Sequence, residues 1–245
     1  MNITFIIQRY NPSVDGSPYY EHYVIDADPH ERILDTLLRI KDTFDRSLAF
    51  RRSCGHGVCG SDAMLINGVE RLACKTLIKD VVEIEGSVVL VTPLRSMPVQ
   101  RDLCVDQERF FQKYREVKPF FIPAAPAPEK EYVQSPESRA QFDDATKCIV
   151  CASCYSACPV VAETRPDFAG PAAIVHAARF ILDDRDQGLA ARMDELDNDD
   201  GVWACENHFD CTRVCPRGIK VTKAINQTKR SITAYKNGKV HDEIA

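Results

Sequence analysis

The sequence predicts an α+β chain in two parts: a sheet with one helix over residues 1–105, then an all-helical domain over 106–245. Three observations predict it. Runs of β-branched and aromatic residues alternate with turn signals in the first part. Pro119, Pro123, Pro126, Pro128 and Pro136 crowd the stretch 117–137, which reads as a linker or an extended crossing segment. Ten of the eleven cysteines fall in three tight groups, one in the first part and two in the second.

Ile3–Gln8 and Tyr20–Ile25 are strand-like, and Asn11-Pro12 and Asp15-Gly16 mark the turn between them. Asp28 as cap, Pro29 as first residue and Glu31 as the capping-box partner predict a helix start. Ile33, Leu37, Ile40 and Phe44 recur behind it at helical spacing. Ala63–Ile66 and Val69–Leu72 flank Asn67-Gly68, a strong hairpin signal. Val81–Glu85 and Val88–Val91 predict a last pair of strands around Gly86. From about Glu137 the pattern is helical: Gly170-Pro171 opens one helix and Val221–Tyr235 forms the last. The acidic stretch from Asp183 to Asp200 reads as a solvated surface.

Hydrophobic residues make up 44% of the 245, enough for a core. The net charge of −5 argues against nucleic acid as a partner. No apolar run reaches bilayer-spanning length, and Met1–Asn11 lacks the pattern of a signal peptide. The expectation is a cytosolic chain that meets a membrane only through a partner. A reducing compartment leaves the cysteines as ligands, because thiolates clustered at intervals of two to five residues mean metal.

The first group reads Cys54-x4-Cys59-x2-Asp62-x11-Cys74. Plant-type 2Fe-2S sites follow C-x4-C-x2-C with a distant fourth Cys. Gly55, Gly57 and Gly60 let the backbone wrap closely and aim N–H groups at sulfur. Asp62 occupies the third ligand position, where a carboxylate oxygen can coordinate iron, though it is a harder ligand than thiolate. The plainer reading makes Asp62 an ordinary loop residue. Zinc competes weakly, since this loop lacks paired C-x2-C knuckles.

Cys148-x2-Cys151-x2-Cys154-x3-Cys158-Pro159 is the bacterial ferredoxin run, whose fourth Cys ligates the other cluster. The second run is Cys205-x5-Cys211-x3-Cys215-Pro216, with His208 where a middle Cys would stand. Exchanging the last Cys of each run gives Cys148, Cys151, Cys154 and Cys215 to a 4Fe-4S cluster. Cys158, Cys205 and Cys211 remain, and three ligands with a missing corner predict 3Fe-4S. In the alternative, His208 fills the corner and a fourth iron is kept. No acid–base pair or nucleophile is placed for substrate chemistry, so no catalytic residue is assigned. No nucleotide fingerprint occurs either. The chain reads as an electron conduit.

The loop Ser53-Cys-Gly-His-Gly-Val-Cys-Gly-Ser-Asp62, the run from Cys148 to Pro159 and the segment Gly201-Val-Trp-Ala-Cys205 to Pro216 resemble the iron–sulfur subunit of succinate dehydrogenase and fumarate reductase. The resemblance implies a plant-type ferredoxin (β-grasp) domain followed by a helical bacterial-ferredoxin-like domain. It implies a flavoprotein partner carrying FAD and a membrane anchor subunit that supplies most of a quinone site. The complex would sit on the cytoplasmic face of the bacterial inner membrane. Some family members carry Asp at the position of Asp62 and still assemble the two-iron cluster. Pro159, Trp203, His208 and Lys229 are the quinone-proximal residues that the resemblance suggests. The wording around Trp203, with no Trp after Pro159, looks more like bacterial fumarate reductases and suggests menaquinone. Trp203 equally suits packing under a cluster, and Lys229 an exposed helix. Cys104 reads as a buried apolar residue, and His56 as a loop residue facing the flavoprotein or filling the turn. Two other readings are a free-standing ferredoxin carrier and the relay subunit of a thiol:fumarate reductase. The usual extra cysteine-rich modules of the latter are missing after Cys215.

Overall fold

Alternation in the first strand decides the first core. In β1 (Asn2–Arg9) Ile3, Phe5 and Ile7 are fully buried while their neighbours are not. β1 pairs antiparallel with β2 (Tyr19–Asp26) and parallel with β5 (Val88–Thr92). β3 (Ala63–Ile66) and β4 (Val69–Leu72) complete a five-stranded sheet in the order β2-β1-β5-β3-β4. The hairpin turns on Asn67 and Gly68, both at positive φ, as a two-residue primed turn requires. Helix α1 (Ile33–Thr43) covers one face and buries Ile33, Leu34, Leu37 and Ile40. Each such side chain stabilises by about 1.5–3 kcal/mol when fully buried. β6 (Val99–Arg101) and β7 (Cys104–Val105) form a small separate hairpin.

The computed structural model describes residues 1–238. It divides into two compact units, Met1–Gln107 with Ile149–Ala157, and Glu108–Cys148 with Cys158 onward. The segment Ile149–Ala157 thus packs with the sheet unit although it follows the Pro-rich stretch. Ser156 Oγ donates to the buried Glu70 carboxylate of β4 at 2.9 Å and accepts the Arg95 N–H at 2.8 Å.

The second unit is helical: α2 (Glu108–Glu116), α3 (Pro136–Phe142), α5 (Pro171–Ile181), α6 (Leu189–Leu196), the short α7 (Asp210–Arg213) and α8 (Val221–Lys236). The short α4 (Ser153–Ser156) belongs to the first unit. α5 is buried nearly all round, from Pro171 to Ala178. It packs against α8, which buries Val221, Ala224, Ile225, Thr228 and Ile232. Ser135 caps α3 by accepting the Ser138 N–H at 3.1 Å, with Pro136 in the first turn.

Three sequence expectations are corrected. α1 starts at Ile33, not behind Asp28: the Asp28 carboxylate accepts the His30 N–H at 2.7 Å in a local turn, and Glu31 accepts Ile78 N–H through its carbonyl. Val81–Glu85 forms no strand. The turn Ile78–Asp80 precedes it and Ile78 O accepts the Val81 and Val82 N–H groups at 3.0 Å, so these amides are taken from any sheet ladder; Gly86 donates to Asn2 O at 2.8 Å. The acidic stretch is not wholly solvated, since Asp183 and Asp186 are 4% and 1% exposed. Asp186 forms a buried fork with Arg192, at 2.7 and 3.2 Å, and Arg192 also donates to the carbonyls of Lys118 and Phe120. That arginine pins the start of the Pro-rich stretch to α6.

Candidate iron–sulfur sites

The first site is a loop held by its own amides. The N–H groups of His56, Val58 and Cys59 point at Cys54 Sγ at 3.5, 3.4 and 3.4 Å. These bonds, the His56 amide foremost, hold the Cys54 thiol down to about 6, so the ligating thiolate is the favoured form. Gly55, Gly57 and Gly60 all have positive φ, which is what lets three amides face one sulfur. Arg32 donates to Gly55 O at 2.7 Å and fastens the loop to the start of α1. The Lys75 side chain fills the space beside Gly57, where a Cβ would sit 2.7 Å from its methylenes. Neither Arg32 nor Lys75 carried a sequence signal, because each acts across a long stretch of chain.

Asp62 and Cys74 close the loop. Asp62 is 2% exposed; Oδ2 accepts the Cys74 N–H at 2.6 Å, and Oδ1 is buried with no hydrogen-bond partner. A buried carboxylate oxygen left bare is costly unless a cation meets it. Burial first, and then the Asp62 carboxylate, push the Cys74 thiol up to about 12. Bound iron reverses that, since metal charge deprotonates a coordinating thiol. Cys54, Cys59, Asp62 and Cys74 therefore suit a two-iron cluster, and Asp62 sits as a ligand would.

The two later runs fold alike. In the first, Val150 and Ala152 are left-handed and α4 follows with Cys154 inside it; in the second, Asn207 and Phe209 are left-handed and α7 follows with Cys211 inside it. Cys148 and Cys205 each follow a short 3-10 turn. His208 thus takes the place in its turn that Cys151 takes in the other. Cys151 and Cys154 lie in the first unit; Cys148 and Cys215 lie in the second.

Cys158, Cys205 and Cys211 line one small cavity of the second unit, with Pro159, His208 and Thr222. Burial pushes the Cys158 and Cys211 thiols up, and Cys205 acts on both through its charge. The amides of Val161 and Val160 face the Cys158 sulfur, and Thr222 Oγ1 lies 3.6 Å from Cys211 Sγ. Three thiols lining one cavity, with donors aimed at two of them, fit a cluster with three protein ligands. Among the described residues, no three His, Cys, Asp or Glu side chains close around a single ion. Ligands of a polynuclear cluster stand further apart than those of one zinc ion.

Around this cavity, His208 turns its Nε2 to Glu206 at 3.1 Å and is 44% exposed. Lys229 Nζ donates to Cys205 O at 2.9 Å and lies 6.0 Å from the Trp203 ring centre. Trp203 is 43% exposed and donates to Asp197 at 2.8 Å, so it is not buried packing. Cys104 is half-buried in β7, not fully buried. His56 is exposed and folds Nδ1 onto Cys54 O at 2.6 Å. No helix among the described residues is long and apolar enough to cross a membrane.

Fold and cysteine loops together define a protein of two ferredoxin-type modules. Residues 4–112 match the 2Fe-2S iron-sulfur cluster binding domain, and residues 144–219 the 4Fe-4S dicluster domain. The chain belongs to the family of succinate dehydrogenase and fumarate reductase iron–sulfur subunits. It is 42% identical to the fumarate reductase iron-sulfur subunit of Mycobacterium tuberculosis, over 95% of this chain and 94% of that one. It is 39% identical to the succinate dehydrogenase iron-sulfur subunit of Coxiella burnetii, over 93% and 95%. The solved Mycobacterium smegmatis Sdh1 complex in the apo form contains a chain with a TM-score of 0.85 and 30% identity, covering 97% of this chain and 98% of that chain. This chain is accordingly a subunit of an oxidoreductase.

Proposed function

We propose that this chain is the electron-transfer subunit of a membrane-bound succinate dehydrogenase or fumarate reductase. Its partners are a flavoprotein subunit carrying FAD and a membrane anchor that holds the complex at the cytoplasmic face of the inner membrane. The bound clusters supply one-electron transfer between flavin and quinone. Module 1–105 holds 2Fe-2S on Cys54, Cys59, Asp62 and Cys74; module 106–245 holds 4Fe-4S on Cys148, Cys151, Cys154 and Cys215, and 3Fe-4S on Cys158, Cys205 and Cys211.

The observation that carries this reading is the duplicated cysteine turn with His208 in place of the cysteine at one corner. Seven cysteines serve two cubane-type sites, so one site is short of a ligand. The chain's own residues hold the clusters, aim amides at their sulfurs and keep water from Cys158 and Cys211, which are 8% and 7% exposed. Pro159, Trp203, His208 and Lys229 lie next to the three-cysteine site in sequence or space and form its quinone side. Trp203, Phe209 and Tyr235 are exposed rings that suit an apolar anchor. Menaquinone is the proposed quinone.

Redox-titrated EPR of the anaerobically purified complex, with iron and sulfide quantified, tests the reading. An oxidised-state three-iron signal with a reduced-state two-iron signal is expected. A second four-iron signal in place of the three-iron one overturns the ligand assignment.

A further inference from the structure

Away from the cysteine loops, the second unit contains a half-open cavity of about 270 Å³. Three guanidinium groups line it from separate places: Arg139 of α3, Arg179 of α5 and Arg185 beyond α5. Asp183 is the one carboxylate in the lining. It is already engaged, accepting from Arg185 Nε and Nη2 at 2.8 and 2.7 Å and from Gln134 at 2.9 Å. Arg139 meets Asp143 through Nη2 at 2.9 Å, yet its Nη1 is buried with no hydrogen-bond partner. Among the described residues the Arg179 side chain has no ion-pair or hydrogen-bond partner, and its guanidinium lies 5.2 Å from the Phe180 ring centre.

The aromatic walls explain how the cations are held. Arg139 lies 4.8 Å from the Phe142 ring centre and Arg185 lies 5.9 Å from that of Phe121. A guanidinium stacked on a ring can still donate in its own plane: Arg185 gives Nε and Nη2 to Asp183 and Arg139 gives Nη2 to Asp143, which leaves Arg139 Nη1 and the whole Arg179 fork for an acceptor. The lining carries three positive groups against one negative, and one buried donor lacks an acceptor. A dianion corrects both. A planar carboxylate is satisfied by a single guanidinium fork, whereas cations on three elements call for acceptors on several sides of the ligand.

We propose that this cavity binds a phosphate-class oxyanion through Arg139, Arg179 and Arg185. None of its lining residues is one of the proposed cluster ligands or quinone-side residues.

The test is isothermal titration of the purified complex with inorganic phosphate in phosphate-free buffer. Saturable binding is expected, weakened about tenfold or more by Arg179→Ala or Arg139→Ala at unchanged iron content. Arg179→Lys, which keeps the charge and loses the fork, is expected to weaken it less. Absence of saturable binding overturns the proposal, as does equal affinity in the wild type and in the iron-replete alanine variants. Should the alanine variants lose iron, Arg179→Lys decides: weaker binding supports the site and unchanged affinity overturns it.

Discussion

Gly60 and Cys151 are packed so closely that a Cβ on Gly60 would sit 2.6 Å from Cys151 Cβ and 3.0 Å from its Cα. Gly60 also has a φ of +71°. In the proposed ligand sets Cys59 and Cys151 serve different clusters, so this contact places the two ligand loops side by side. Gly60→Ala is expected to cost roughly 2–5 kcal/mol, combining left-handed strain with overpacking. Gly55→Ala is the control: its φ is +69° but nothing lies within 4 Å of the added carbon, so only the strain remains. Thermal unfolding of the two variants checks the pair. Equal midpoints would mean that the contact with Cys151 is unimportant.

Asp62 keeps one buried oxygen without a partner. If iron is that partner, Asp62→Ala loses the two-iron cluster, while Asp62→Cys keeps it with four thiolates and an altered reduced-state EPR signal. Iron analysis is expected to fall by about two per chain in Asp62→Ala alone. A full iron content in Asp62→Ala would remove Asp62 from the ligand set.

His208 stands in its turn as Cys151 stands in the other. A cysteine there would complete the second run, so His208→Cys is expected to convert the three-iron site to a four-iron site. The oxidised-state EPR signal should vanish and the iron content should rise by about one. His208→Ile is expected to leave the three-iron signal in place. If the wild type lacks the three-iron signal and His208→Ile produces it, His208 is itself the fourth ligand and the three-cysteine assignment is wrong.

Much of this was legible in the sequence, and the failures share a cause. The hairpin at Asn67-Gly68 and the helices at Pro171 and Val221 were readable because turn residues and periodicity act locally. The cysteine runs pointed to the two iron–sulfur modules because part of each cluster's ligand set comes from one short loop, which a sequence shows directly. The start of α1 was misplaced because Asp28 uses its carboxylate in its own turn. Asp183 and Asp186 looked solvated because charge is visible in a sequence while its partner is not. Likewise Arg32, which holds Gly55 O from 23 residues away, left no local sign.

Arg192 and Asp186 are fully buried together. Removing one charge strands the other, so Asp186→Ala is expected to destabilise the second unit by about 3–5 kcal/mol. It also frees the Ile122 and Gly188 amides, which the carboxylate accepts at 2.8 and 2.7 Å. The start of the Pro-rich stretch should then become protease-sensitive before the rest of the chain. Limited proteolysis of wild type and variant tests this, and an unchanged cleavage pattern would show that Asp186 and its pairing with Arg192 are not what holds that stretch.

His176 sits in α5, 5% exposed, with Nε2 buried and unpartnered and its ring edge-on to Tyr114 at 4.8 Å. Burial, and then the Arg179 charge, lower its pKa from 6.5 to about 4. The folded state therefore resists the proton that the unfolded chain takes up below its ordinary pKa. Stability is full above pH ~6.5 and falls as pH drops toward 4, by up to about 3 kcal/mol from this group. At pH 5 the loss is about 2 kcal/mol. His176→Phe keeps a ring against Tyr114 and removes the titration. Its urea midpoint should fall less than that of the wild type between pH 7 and pH 5, with unchanged m-values. Parallel falls in the two proteins would assign the acid sensitivity to other groups.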